Sequence, residues 1–296
     1  PKAIPFDPAA APTLNLDSAQ LSLGAVDLGH LHLVTARVAD GQRIKQLQLE
    51  GGKLVVDAHG SWLRHGSSEA GGSAGSSAEL NFEISSSAIA DVLQVFGYAA
   101  NLRAEEAAFS GKLQWPRVPA GLELSQAQGN VKLDIRRGAL NAVKPGAGRV
   151  LGLFNLYALP RRLLFDFRDV VSKGLSFDTI KGQFALADGN AHTDDLQING
   201  PSVKLQMKGR IGLAARDYDQ RITVYPDIST GVTLGATLLG GPLAGGIALV
   251  AQQLFSKPFN KLSKFSYRVT GSWDNPEVIK GSEETPPPLA NGEPHG

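Results

Sequence analysis

The chain of 296 residues contains no cysteine. Thiolate metal sites, thiol nucleophiles and disulfide staples are therefore excluded. Such an absence fits an oxidising compartment, where a stray thiol is a liability, and it fits many reducing ones as well. The chain also lacks an excess of either charge: Lys+Arg 29 against Asp+Glu 28 leaves +1. Without a basic field, and with only five Tyr and three Trp, none interleaved with basic residues, it has neither the electrostatic nor the stacking equipment of a nucleic-acid binder. Charged residues are 19% of the total, below the usual share of about 25%. No signal peptide or basic-apolar anchor precedes the Pro/Ala-rich residues 1–12, which lead straight into strand pattern at Leu14. A fragment from the middle or end of a longer protein is the expectation.

What is present is apolar alternation and glycine, with 42% hydrophobic residues and 34 Gly. That pairing suits many strands and turns better than a helical bundle. Period two runs through Leu14, Leu16, Leu21 and Leu23, read as a first pair of strands, then Leu31 and Leu33, Leu47 and Leu49, and Leu54, Val56 and Ala58. Asp40-Gly41 and Gly51-Gly52 are hairpin signals, because positive φ costs glycine little. Residues 65–79 form a Ser/Gly loop between an N-terminal β-segment, 1–64, and a larger β-region, 80–280. Within that region Leu80, Phe82 and Ile84 are strand. Ser85–Ser87 precede a short helix through Phe96, with Ile89, Val92 and Leu93 on one face. Phe109–Trp115 is strand, and Leu122–Leu124 pairs with Val131, Leu133 and Ile135 across a turn near Gly129-Asn130. Strands resume at Leu175 and continue through Phe184 and Leu186, the Asp188-Gly189 turn, Leu196 and Ile198, Val203 to Leu213, and Ile222 and Val224, with a last one at Phe265–Trp273. Residues 281–296 are Pro/Glu-rich and read as a disordered tail. Residues 47–63 and 196–213 share one plan of strand, glycine turn, strand and Gly-x-apolar. Units of that kind bury little alone and must stack on neighbours in an extended sheet.

Two stretches break the pattern. About 148–167 is helical in period and apolar through Leu151, Phe154, Leu156, Leu163, Leu164 and Phe165, with Arg149, Arg161, Arg162 and Arg168 around it and a break at Pro160. Ile228–Ser256 carries no charge at all. Its helical part, about 230–256, presents Val232, Leu234, Leu238, Leu239, Leu243, Ile247, Val250, Leu254 and Phe255, with Gly241-Pro242 in the middle. Three readings remain open: a spanning helix, a helix buried in or plugging the fold, and a segment that docks on a membrane with Lys257, Lys261 and Lys264 at the headgroups. For 148–167 a membrane-facing helix and a cap on the sheet both remain open.

Catalytic constellations are missing. Ser73 lies in a G-x-S-x-G match, but inside a Ser/Gly loop and not on the strand-to-helix turn that such a nucleophile needs. His30 and His32 share a strand face without a carboxylate cluster in sequence, so an exposed face explains them better than a metal. Glu105-Glu106 and Asp194-Asp195 are adjacent, and strand neighbours point to opposite sides. No catalytic residue, metal site or cofactor is expected, and the chain reads as a non-enzyme.

Residues 175–226 and the ending FSYRVTGSWDNPEV (265–278) resemble the C-terminal region of the AsmA-like family, and residues 148–177 resemble one branch of it more narrowly. The resemblance implies a mainly β fold: an elongated, twisted antiparallel sheet forming an open, β-taco-like groove, with a few short apolar helices near the C-terminal end. It implies a periplasmic part of a long Gram-negative envelope protein that is anchored in the inner membrane, with this part near the outer membrane. Phospholipid acyl chains, the inner leaflet of the outer membrane and the rest of the same chain would be its partners. The wall residues so implied are Leu47, Leu49, Val56, Phe82, Leu113, Leu133, Phe184, Leu186, Leu205 and Met207. The competing expectation is a scaffold or assembly factor that contacts outer-membrane components and carries no lipid.

Overall fold

A computed structural model of the chain describes residues 7–23, 26–51, 53–65, 75–95, 101–118, 123–141, 175–201, 203–226 and 265–280. They form a single antiparallel sheet of 13 strands in which every strand pairs with its neighbours in sequence. The strands are β1 (Asn15–Leu23), β2 (Val26–Val38), β3 (Gly41–Gly51), β4 (Leu54–His65), β5 (Gly75–Ser86), β6 (Leu102–Trp115), β7 (Gln128–Leu140), β8 (Leu175–Ala187), β9 (Asn190–Asn199), β10 (Val203–Gly212), β11 (Asp217–Pro226), β12 (Phe265–Ser272) and β13 (Pro276–Lys280). The first and last strands do not meet, so the sheet is an open one. A meander of this kind needs only hairpin connections, which is why glycine and Asp-Gly turns punctuate the sequence so regularly. At Asp188-Gly189 both residues have positive φ, 50° and 74°, the backbone of a two-residue hairpin turn. The two repeated units in the sequence are hairpins β3–β4 and β9–β10.

Mid-strand irregularities bend this sheet. Register shifts fall between Ser18 and Leu21, Val34 and Thr35, Ile44 and Leu47, Lys181 and Ala185, and Met207 and Gly209. Each such shift adds local bend and twist to its strand. At Gly209, φ is 125° and an added Cβ would lie 2.4 Å from the Asp219 carbonyl oxygen, so only glycine fits that bend.

Helix α1 (Ile89–Val95) joins β5 to β6 and packs against β6 and β2. Ser86 prepares its entry by accepting the Ala88 amide at 3.0 Å while its own hydroxyl donates to the Lys53 carbonyl at 2.7 Å. The Lys53–Asp91 ion pair at 3.1 Å ties the helix to the β3–β4 turn.

Several local expectations change. Asn15–Leu23 is one strand paired to β2, in place of the expected two strands paired to each other from Leu14 to Leu23. Leu124–Gln126 is a short 3-10 turn rather than a strand, and Gly129 and Asn130 lie inside β7. β7 instead pairs with β6 and β8, which satisfies both of its edges. His65 and Gly75 pair at the mouth of the Ser/Gly stretch, so strand runs further into it on both sides than its composition suggests. The segments 148–167 and 230–256, expected to be helical, and the expected tail 281–296 lie outside the described residues.

Candidate functional site

The register assembles the apolar residues of separate strands into continuous rows on one face. Leu33, Leu47, Ala58, Phe82, Gly111, Val131 and Phe184 are successive cross-strand partners from β2 to β8. A second row runs through Leu31, Leu49, Val56, Ile84, Phe109 and Leu133 to Gly182. A third begins at Ala107 and continues through Ile135, Ile180, Ile198, Leu205 and Val224. Leu113 reaches Leu186 through Gly129, and Met207 lies between Leu196 and Ile222. All ten wall residues expected from the sequence therefore stand on this one inner face.

Burial divides them. Leu47, Val56 and Phe82 are half-buried. Leu49, Leu113, Leu133, Phe184, Leu186, Leu205 and Met207 are buried core, each at 8% exposure or less. One cluster of buried residues extends from Leu102 on β6 to Val269 on β12. A separate, smaller one is built on Leu28, Leu49 and Leu54, and Val92 of α1 packs against both. Polar groups enter the inner face only sparingly: Gln220 is 4% exposed, and its amide nitrogen has no hydrogen-bond partner. An unsatisfied buried donor costs about 1–3 kcal/mol, so its place among Tyr218 and Ile222 is not explained by stability.

The outer face is charged and internally paired. Asp134 receives Arg136 and Lys181, which hold its carboxyl down to about 2 against the opposing effect of burial. Arg210 grips Asp217 with two bonds of 2.7 and 2.8 Å, and its guanidinium lowers the Asp217 carboxyl below the ordinary range. Lys112 and Gln114 do the same for Glu79. Arg137 bonds both Glu105 and Glu106, so that adjacent acidic pair is an ion-pair partner. These contacts knit neighbouring strands and leave one face for water, the other for apolar matter.

His30 and His32 meet a carboxylate that the sequence alone did not reveal. Register sets Asp17 opposite His32, and its two oxygens lie 2.9 Å from His30 Nε2 and 3.1 Å from His32 Nδ1. Those contacts, His30 first, lower the Asp17 carboxyl. Among the described residues no group of three or more His, Asp or Glu is placed to hold a metal. Ser73 and the apolar segments' Leu151 and Leu238 lie outside the described residues. No helix among the described residues is long and apolar enough to cross a membrane.

The model of the family described as YhdP protein matches residues 2–278. The chain belongs to the YhdP family. Its resemblance to AsmA-like proteins, and the narrower one of residues 148–177, is to this branch. The intermembrane phospholipid transporter YhdP of Escherichia coli (strain K12) is 27% identical over 231 residues, 78% of this chain. The match covers 18% of that YhdP protein's length. No solved structure matches.

Proposed function

We propose that this YhdP-family chain handles phospholipid by covering acyl chains with the inner face of its sheet, and that it catalyses no chemical step. The observation that carries the reading is a face of continuous apolar rows, with Leu47, Val56 and Phe82 half-buried, on a sheet open at both edges. Apolar surface of that extent marks an interaction surface. A lipid tail would supply cover at about 0.8 kcal/mol per buried CH₂, while the headgroup stays in water. The likeness to an intermembrane phospholipid transporter supplies the class of occupant.

In the finer form of the proposal, the chain is the C-terminal part of a bridge in the periplasm. The rest of the long chain is anchored in the inner membrane, and this part works near the inner leaflet of the outer membrane. The apolar sequences 148–167 and 230–256 would make that contact. Their attachment points support this: Leu140 pairs with Leu175, and Val224 with Phe265, so both segments leave from the same end of the sheet. That is also the end that carries α1, between Ser86 and Leu102.

The test places a charge on the half-buried part of the wall. Val56→Asp in the whole protein should remove bound phospholipid while export and folding persist. A scaffold that carries no lipid would be indifferent to that change.

A further inference from the structure

The inner face is not one uniform surface. Along the two middle rows, Leu31, Leu47, Val56, Phe82, Ile84 and Phe109 of β2–β6 are half-buried, interrupted by Leu49 at 8% and the small Ala58 at 2%. From β7 onward one of these rows closes at Leu133, 3% exposed, and the other one strand later, where half-buried Val131 gives way to Phe184 at 5%. In the row beside them Ile135 and Ile180 reach 0% and Leu205 of β10 is at 7%, as is Met207, two residues along β10. Composition does not explain the change, since leucine, valine and phenylalanine occupy both regions. Packing does.

We infer that the lipid path ends near the step from β6 to β7: acyl chains ride on the middle of β2–β6, and the wall from β7 to β11 is a packed stop that holds none. This rests on the phospholipid reading above. Protein interiors are packed like organic crystals, so a side chain with no exposed surface has no space beside it for a methylene chain. Forcing one in would displace side chains from their rotamers, and overpacking of that kind is destabilising. The half-buried residues upstream have the opposite property, since they present apolar surface that only a further apolar body removes from water.

Helix α1 marks the same boundary from the side. It packs against β6 and reaches back to β2, and Val92 touches both buried clusters. One end of the β2–β6 strands is thereby roofed, and there Leu54 and Ala107 are buried at 6% and 2%, while Val56 and Phe109, two residues further along, are half-buried. Lipid reaching the step has the stop ahead of it and α1 along one side, so it does not run on to β13.

The chain's single methionine provides a test without disturbing the stop. Met207 is that residue, so biosynthetic photo-methionine puts a diazirine at this one position of the segment. A Phe82→Met, Met207→Leu double variant moves the diazirine to the open wall, with near-conservation of volume at both sites. The whole protein is irradiated in cells, and peptides spanning 82 and 207 are examined by mass spectrometry for phospholipid adducts. The expected result is adduct at position 82 and loss of adduct to background at 207. Adduct at 207 as strong as at 82, or at 207 alone, would overturn the stop and leave the phospholipid reading standing. Absence of adduct at both positions would overturn the phospholipid reading and the inference with it.

Discussion

Replacing Ile180 by alanine probes whether the wall at β8 is packed. Ile180 has 0% exposure and stands between Ile135 and Ile198 in the register. The change removes the equivalent of about three methylenes, or about 2.5 kcal/mol of transfer free energy. Neighbours fixed in a hydrogen-bonded sheet relax little, so the cavity adds to that, and a total of about 3–5 kcal/mol is expected. Leu47→Ala is the matched control: the same number of carbons is lost, but from a half-buried position, so about half the transfer term and little cavity penalty apply, about 1–1.5 kcal/mol. Equilibrium urea unfolding followed by tryptophan fluorescence measures both. Trp115 and Trp273 are suitable reporters, since each donates its indole N–H to a backbone carbonyl, of Glu123 at 3.0 Å and Asp217 at 3.1 Å. A shift in midpoint at unchanged slope gives the free-energy difference. If Ile180→Ala costs no more than Leu47→Ala, the wall at β8 is not packed and the reasoning about a closed downstream half fails.

Two further outcomes are expected from local chemistry. The Asp134 carboxyl, held at about 2 in the fold against an ordinary 3.8, adds stability that is fully present above 3.8 and is lost as pH falls toward about 2. Asp134→Asn should therefore lower the urea midpoint at neutral pH, with the gap to the parent protein narrowing through that acid window; a gap independent of pH would argue against the Arg136 and Lys181 contacts. Gly182→Ala should also be destabilising, because the added Cβ would lie 2.8 Å from Leu196 Cα and 3.0 Å from its Cδ1; an unchanged midpoint in the same titration would show that β8 and β9 are less closely apposed.

Strand content was legible because alternation is a local property, and the Asp188-Gly189 turn because positive φ has a composition signature. The resemblance carried by 175–226 and 265–278 pointed to the family. Leu124 misled because a short alternation carries no information on whether a partner edge is free, and the edges of β7 are taken by β6 and β8. Asp17 meets His30 and His32 only through the β1–β2 register. The division of the inner face was illegible for a similar reason. Phe82 and Phe184 look alike in sequence and lie in one cross-strand row. Their difference in burial depends on bulges, on α1 and on packing many residues away.

The most direct measurement is the amount of phospholipid extracted from the purified whole protein, compared between the parent and Val56→Asp at matched folding. Phospholipid in the parent and its loss in the variant are expected. Equal phospholipid in both, or none in the parent, would contradict a lipid-covering inner face.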